Sequence, residues 1–359
     1  MCSAIGPGQR TRIGSTDLTV SSRTVEMLRA VRGAPDAPVG ITPKEVVWRK
    51  NKARVYRYTR EGPSPRRTPV FLVMPLINRA YILDLRPGAS LVEFLLQQGF
   101  DVFMLDWGIP SDEDRDLSLD SMLTGYLARA VRRASELTRS VSVTLLGYST
   151  GGTLAACFAA LYPDGPVKNL VLFTTPIDFS DAGQLGRWSQ ATAFPVQKLT
   201  EVFPTVPAHF MDLGMKLISP LPGTVGVYVR LWDRLGDPNF DVAGWQAMSR
   251  WVNDAVPFAA AAYRQWITEF YQHNKLAKGT LVLAGQRVRL ERIRCPLLNV
   301  AGSADTITPR STTRAVMQLV SSEDKEELVL KGGHVGILVG RAARTELWPR
   351  LVEWLEHRD

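Results

Sequence analysis

The chain is poor in the residues that build disulfide frameworks and metal sites. Its 359 residues include three cysteines, Cys2, Cys157 and Cys295, which lie far apart and have no metal-ligand spacing. Few, scattered cysteines are typical of a reducing compartment. No apolar run has the length of a membrane span, and the N-terminus lacks the apolar centre of a signal peptide. We therefore expect a cytoplasmic protein without a structural zinc ion or a transmembrane segment.

The surplus of positive charge is modest, and the Lys and Arg residues are spread along the chain. Lys and Arg total 43 against 35 for Asp and Glu, and only short clusters such as Arg66–Arg67 occur. The resulting net charge of +8 favours an anionic substrate or an anionic surface. No basic face or recognised binding motif accompanies it, so we expect no nucleic-acid partner.

Short β-rich runs alternate with longer amphipathic stretches, which predicts an α/β protein with a mostly parallel sheet and helices on both faces. The predicted strands are 53–59, 69–74, 101–106, 142–147, 169–174, 297–302 and 326–331. The predicted helices are 89–98, 120–138, 152–162, 310–320 and 342–357, with a shorter one near 24–32.

The alternation is interrupted by roughly a hundred residues without a clear strand, too long for a plain connection. We interpret 180–276 as an inserted cap, 46–179 with 277–359 as the core, and 1–45 as an N-terminal arm. The insertion is rich in aromatic residues, which predicts an apolar lid. They include Trp188, Phe194, Phe203, Trp232, Trp245, Trp251, Phe258, Trp266 and Tyr271.

The segment "GYSTG", Gly147 to Gly151, follows an apolar strand and precedes a helix, the context in which G-x-S-x-G places a nucleophilic serine. We predict Ser149 as the nucleophile. A serine hydroxyl needs a base to remove its proton, and the α/β-hydrolase fold supplies it in the chain order Ser, Asp or Glu, His. Asp305 and His334 follow later strands in that order and are the predicted orienting acid and general base.

Other residues compete for these roles. Asp106 and Asp178 also follow strands, and we expect both to be structural because neither lies between nucleophile and histidine. His209, His273 and His357 fall in the cap or the last helix and are not expected to be bases. For the oxyanion, the predicted donors are the backbone N–H of Thr150 and one from "PLINR", assigned to Ile77.

Six segments in collinear order resemble the catalytic subunit of class III polyhydroxyalkanoate synthases. They are "PLINRAYILDLRPG", "LLGYSTGGTLA", "LVLFTTPIDF", "YRQWITEFYQHNKLAKG", "PLLNVAGSADTITP" and "KGGHVGI". The resemblance runs from about residue 45 to the C-terminus. It implies an α/β-hydrolase core with a cap, (R)-3-hydroxyacyl-coenzyme A as substrate, a growing polyester chain and no bound cofactor. It also implies a location at polyester granules, a second synthase subunit as partner and a homodimer.

By motif position, Ser149 falls where the family has a nucleophilic cysteine, while Asp305 and His334 fall on its acid and histidine. The resemblance further implies that the aspartate helps to activate the hydroxyl of the incoming acyl unit. Ser149 is the departure from the family pattern, and Cys157, two turns along the next helix, cannot replace it.

A serine nucleophile leaves the acyl acceptor open. Acylation converts a thioester into a more stable oxygen ester, and transfer to a hydroxyl then exchanges one oxygen ester for another. Water is the competing acceptor. Three interpretations follow: an acyltransferase of the synthase type, a serine esterase or thioesterase on the same scaffold, and a non-catalytic protein of the granule surface.

Overall fold

An eight-stranded sheet forms the centre of the fold, in the order β1-β2-β4-β3-β5-β6-β7-β8. The computed structural model describes residues 20–60, 62, 64–190, 192–218 and 226–359. The strands are β1 (Lys44–Lys50), β2 (Ala53–Tyr58), β3 (Val70–Val73), β4 (Val102–Asp106), β5 (Val143–Tyr148), β6 (Val167–Phe173), β7 (Leu297–Gly302) and β8 (Lys325–Leu330). β2 runs antiparallel to β1 and β4, and the other neighbours are parallel. The prediction of a mostly parallel sheet is confirmed.

Seven of the eight strands coincide with predicted ones, and β1 was missed. Its sequence, "KEVVWRK", begins and ends with charged residues and lies at the edge of the sheet, where no side chain is fully buried. An edge strand with this composition lacks the apolar run by which the others were recognised. β1 also straddles the predicted end of the N-terminal arm at residue 45. Residues 1–19 of that arm lie outside the described residues.

Helices cover both faces of the sheet and also make up most of the insertion between β6 and β7. They are α1 (Val20–Gly33), α2 (Leu91–Gln97), α3 (Ala128–Thr138), α4 (Thr150–Leu161), α5 (Gly183–Trp188), α6 (Val196–Val202), α7 (Ala208–Ile218), α8 (Gly226–Arg234), α9 (Val242–Val252), α10 (Ala260–Gln265), α11 (Arg310–Arg314), α12 (Val316–Leu319), α13 (Gly336–Val339) and α14 (Trp348–Glu356). Wider π-helical turns at Ser121–Leu127, Trp266–Gln272 and Ala343–Leu347 precede α3, follow α10 and precede α14. Single 3₁₀ turns form at Ala80–Leu83, Asp112–Asp114 and Leu290–Arg292. Within the described ranges, no helix is both long enough and apolar enough to cross a bilayer.

The core has two layers because successive strand residues point to opposite sides of the sheet. In β3, Phe71 and Val73 pack with α3 and α4, whereas Val70 and Leu72 pack with α2 and α14. These four side chains are fully buried. Burial on both faces explains why the central strands read as continuous apolar runs rather than alternating ones.

The described part of the segment between β6 and β7 contains six helices, α5 to α10. It also contains two pairs of short strands that were not predicted: Thr205–Val206 pairs with Phe258–Ala259, and Val282–Leu283 pairs with Gln286–Arg287. A two-residue strand carries too little pattern to be recognised in a sequence. α1 packs against α8 and α9 of this insertion, through Ala30, Leu231 and Leu235. The predicted boundaries of arm, core and cap stay predictions.

Candidate active site

Ser149 lies on a sharp turn between β5 and α4. Its backbone has φ 52° and ψ −124°, a conformation that costs a non-glycine residue on the order of 1–3 kcal/mol. The turn is possible because neighbouring residues have no side chain. A Cβ on Gly147 would collide with Gly152, and a Cβ on Gly151 would collide with the carbonyl oxygens of Val73 and Met74. The strained turn raises the serine hydroxyl above the carboxyl edge of the sheet.

The structure brings together the three side chains predicted from the motif. The Oγ atom of Ser149 lies 3.1 Å from Nε2 of His334, and Nδ1 of His334 lies 2.8 Å from Oδ2 of Asp305. All three residues are less than a tenth exposed. The imidazole can therefore bond to the serine hydroxyl through one nitrogen and to a carboxylate through the other, the arrangement that general-base activation requires.

The loops that carry the acid and the histidine support each other. The Ala304 N–H donates to the Gly332 carbonyl at 2.9 Å. The other carboxylate oxygen of Asp305, Oδ1, accepts the backbone N–H groups of Ile307 and Thr308, at 2.9 and 2.8 Å. Both oxygens thus have partners, and the carboxylate has one defined orientation. The tilted ring of Tyr148 contacts the imidazole of His334, with ring centres 5.4 Å apart.

The competing candidates lie elsewhere. Asp178 accepts the Ser180 backbone N–H and the Asn274 side-chain amide. Asp106 accepts the Gly108 backbone N–H. The remaining histidines, His209, His273 and His357, do not line the cavity above Ser149. Asp106 and Asp178 therefore make structural hydrogen bonds outside the cavity lining, as expected.

A cavity of about 270 Å³ opens above Ser149 and His334. From the insertion, Trp251, Phe258, Tyr263, Trp266 and Tyr271 line it with aromatic rings, and Met211 and Met215 of α7 add to the apolar wall. Burial raises the pKa of Tyr263 to about 12, so its phenol stays neutral at ordinary pH. Four aromatic residues predicted for the lid thus line this cavity, whereas Phe203 is 40% exposed on the outside of the insertion.

Comparison with known proteins gives consistent matches. The family model for the alpha/beta hydrolase fold matches residues 83–341, and the model for the N-terminus of poly-beta-hydroxybutyrate polymerase matches residues 35–95. The poly(3-hydroxyalkanoate) polymerase subunit PhaC of Allochromatium vinosum is 36% identical over 322 residues, covering 89% of this chain and 90% of the relative. The chain belongs to the poly(3-hydroxyalkanoate) polymerase family. The PhaC subunit of Haloferax mediterranei is 37% identical over 325 residues, which are 90% of this chain but only 66% of that longer protein.

The α/β-hydrolase prediction is also confirmed. The monoacylglycerol lipase of Paleococcus ferrophilus superposes with a TM-score of 0.50 at 21% identity, covering 85% of this chain and 99% of the lipase. At that identity the similarity concerns the fold alone.

Cys157 is not a suitable alternative nucleophile in this polymerase-family chain. It lies on α4, two turns after Ser149. Its side chain is fully buried in the helical layer, and burial raises the pKa of its thiol to about 12. A buried, protonated thiol is chemically inert. Ser149, on the turn between β5 and α4, is therefore the candidate nucleophile.

The loop after β3 brings the predicted oxyanion donors of this polymerase-family protein to the cavity. Ile77 and Thr150 both line it beside Ser149. The preceding backbone N–H, that of Leu76, is already bonded to the Thr150 hydroxyl at 3.0 Å. Since the Leu76 N–H is already hydrogen-bonded, the next N–H along the loop, that of Ile77, is the candidate donor to the oxyanion. This role of Ile77 stays a prediction.

Sequence reasoning missed two side-chain contacts that hold the site together. The hydroxyl of Thr150 holds the loop at Leu76, and the indole N–H of Trp107 holds the same loop by donating to the Met74 carbonyl at 2.8 Å. The tryptophan follows β4 in "LDWG", at the edge of the sheet where the other site residues lie. Its position after a strand was an available signal, but its contact depends on a loop distant in sequence.

Proposed function

We propose that the protein is a poly(3-hydroxyalkanoate) synthase that transfers (R)-3-hydroxyacyl groups from coenzyme A to a growing polyester through an ester on Ser149. The observation that carries this proposal is the hydrogen-bonded set of Ser149, His334 and Asp305 at the base of an apolar cavity in a polymerase-family chain. No cofactor enters the proposed reaction, because the side chains and the two substrates supply every atom.

In the first step, the Ser149 oxygen attacks the thioester carbonyl while Nε2 of His334 takes the hydroxyl proton. The resulting oxyanion is placed to accept hydrogen bonds from the Thr150 and Ile77 N–H groups. When the intermediate collapses, the C–S bond breaks and His334 returns the proton to the thiolate. Coenzyme A leaves as the thiol, and the acyl group stays on Ser149.

In the second step, the hydroxyl of another hydroxyacyl unit or of the chain end replaces coenzyme A. His334 removes its proton, the hydroxyl oxygen attacks the ester carbonyl, and the Ser149 oxygen leaves with the proton from the imidazolium. One ester bond breaks and one forms. The polyester grows by one unit, and the free serine is regenerated.

The placement of Asp305 favours an orienting role over direct activation of the acceptor. Its side chain has no exposed surface, and its two oxygens are engaged by His334 and by two backbone N–H groups. An acceptor hydroxyl in the cavity therefore meets the imidazole before it meets the carboxylate. This differs from the role that the family resemblance implies for the aspartate.

Hydrolysis is the second candidate function, and the serine itself favours it because hydrolases use serine in this motif. The lining of the cavity favours the polymerase instead. Most of the wall is apolar, with Asn78, Asp212 and Lys216 among its polar side chains, so most of its surface offers water no hydrogen bond. A substrate-filled cavity with these walls exposes the ester to the acceptor chain rather than to bulk water.

Partners and location extend the proposal. We infer a homodimer, a second synthase subunit and a location in the cytoplasm at polyester granules, as the resemblance implies and as the word "subunit" in the relatives' names supports. The insertion offers a surface for such contacts. On α7, Phe210, Leu213 and Leu217 are 40, 55 and 50% exposed along one side of the helix. Sedimentation with and without detergent tests whether this surface self-associates.

The test of function is incubation of the purified protein with (R)-3-hydroxybutyryl-coenzyme A. We expect release of the coenzyme A thiol together with polyester, and neither from Ser149→Ala. Free 3-hydroxybutyrate in place of polyester would assign the hydrolase. Absence of thiol release, together with no labelling of Ser149 by a serine-directed phosphonate, would assign the non-catalytic protein.

Ser149→Cys separates the two enzymes further. A thioester on cysteine is more activated than an ester on serine, so the cysteine variant of a synthase should polymerise faster than the parent. An unchanged or lower yield of polymer would count against the synthase.

A further inference from the structure

The backbone loop that carries Ile77 is held from two sides. We call Pro75–Arg79 the donor loop. On the side of the core, the Leu76 N–H donates to the Thr150 hydroxyl at 3.0 Å. On the opposite side, the Ile77 carbonyl accepts the backbone N–H of Val256, from the insertion, at 3.2 Å. These bonds flank the Leu76–Ile77 peptide, so they restrict the rotation of the Ile77 N–H.

The contacts on the far side come from one short segment, Trp251–Val256, which we call the strap. The indole N–H of Trp251 donates to the Arg79 carbonyl at 2.8 Å. Asn78 and Ala255 form an antiparallel backbone bridge. Just beyond the donor loop, the Tyr81 hydroxyl donates to Asp254 at 2.9 Å. Together with the Val256 bond, which is part of that backbone bridge, these contacts join the strap to the donor loop and to Tyr81 just after it.

Part of the donor loop borders open space as well as packed side chains. Its inner side faces the catalytic cavity at Ile77 and Asn78. Its outer side, at Arg79 and Tyr81, borders a second cavity of about 240 Å³ with polar walls. Leu76 packs in the core, but Ile77, Asn78 and Arg79 are only partly buried, so packing alone does not fix this part of the loop. Its geometry therefore depends on directional hydrogen bonds.

We propose that the strap, through Trp251 and the Tyr81–Asp254 pair, positions the Ile77 N–H to stabilise the oxyanion. This inference rests on the proposed function of Ser149. Trp251 is then a positioning residue, since it acts on the reacting oxygen through the donor loop. Because the strap belongs to the insertion, the cap does more than cover the cavity: a shift of α9 away from the sheet would displace an oxyanion donor. Acyl transfer is thereby coupled to cap position.

The test compares Trp251→Phe with Trp245→Phe. Both substitutions remove an indole N–H from α9, but Trp245 packs against the α1 and α8 side and does not line the catalytic cavity. Removing an oxyanion donor outright costs about 10²–10³ in kcat. Trp251→Phe leaves the other strap contacts in place, so we expect about a tenfold loss in kcat with little change in KM. Trp245→Phe should retain the parental kcat.

A second readout separates positioning from general loosening. The ratio of kcat/KM for p-nitrophenyl butanoate to that for its thionoester measures oxyanion stabilisation, because a sulfur anion gains little from donors placed for oxygen. We expect this ratio to fall about tenfold in Trp251→Phe and to stay at the parental value in Trp245→Phe. Circular dichroism melting establishes that both variants are folded at the assay temperature. Should Trp251→Phe not fold, Tyr81→Phe takes its place, because it removes a second contact of the strap, the bond to Asp254. A fall in the same ratio would then support the positioning role, and an unchanged ratio would overturn it.

The outcomes are distinct. If the parent protein neither releases coenzyme A nor cleaves the aryl ester, the proposed function fails and the inference fails with it. If the parent is active and the folded variant keeps the parental oxo-to-thiono ratio, the strap does not position the donor, while the proposed function stands. A fall in kcat accompanied by an unchanged ratio also overturns the inference.

Discussion

Replacing Asp305 by asparagine should stop acylation although it changes a single atom. In the native protein, Oδ1 accepts the N–H groups of Ile307 and Thr308 at 2.9 and 2.8 Å, and Oδ2 accepts Nδ1–H of His334 at 2.8 Å. The asparagine oxygen must stay at the Oδ1 position, because an amide NH₂ there would face two donors. The NH₂ group then points at Nδ1.

The consequence is the wrong imidazole tautomer. With Nδ1 accepting, the proton moves to Nε2, which lies 3.1 Å from the Ser149 oxygen and then donates where it should accept. The loss of the base costs about 10⁴ in the rate of acylation, equivalent to about 5 kcal/mol in the barrier. The assay is a single-turnover measurement of coenzyme A release, with enzyme in excess over (R)-3-hydroxybutyryl-coenzyme A.

The control is Asp178→Asn, which removes the charge of another strand-end aspartate outside the hydrogen-bonded set. It should change the rate by no more than about twofold. Acylation by Asp305→Asn at the native rate would refute the orienting role of Asp305. If Asp305→Asn released coenzyme A at the native rate in this single turnover but slowed polymer growth in a separate assay with substrate in excess, the carboxylate would act on the acceptor hydroxyl, as the family resemblance implies.

Three further predictions concern stability and reactivity. Gly151→Ala should lower the free energy of unfolding by about 1–3 kcal/mol, because the new Cβ meets backbone carbonyls at the end of β3 that cannot yield. Gly336→Ala, whose Cβ enters open space, should leave the melting temperature equal or higher, and the opposite ranking would contradict this account. Cys157 should resist a thiol reagent at pH 8 in the native protein and react after denaturation, as peptide mapping can show, because burial raises its pKa to about 12. An unfolded thiol has a pKa of about 8.5. Burial of the neutral thiol therefore stabilises the folded state fully below that pH, and this stabilisation is lost as the pH rises toward 12. The free energy of unfolding of Cys157→Ala should fall less steeply over that range, and equal slopes would argue against the burial.

The sequence alone determined the parts of this protein that depend on local pattern. Central strands carry continuous apolar runs because helices cover both of their faces, and the nucleophile turn needs glycine where backbones touch. Ser149, Asp305 and His334 were identifiable because parallel strands bring their carboxyl ends to one edge, so that residues distant in the chain share a site. Edge strand β1 escaped recognition because it lacks such a run.

Only the tertiary structure decided how those residues are held. The residues "WVNDAV" do not indicate that this segment binds the loop carrying Ile77. The acceptors of these hydrogen bonds are backbone carbonyls, which every residue has and which a sequence pattern therefore cannot identify. The same holds for Asp305, whose two oxygens are assigned by neighbouring N–H groups and by one imidazole. Residue types specify the available chemistry, whereas the orientation of each donor and acceptor follows from contacts between segments that fold from far apart.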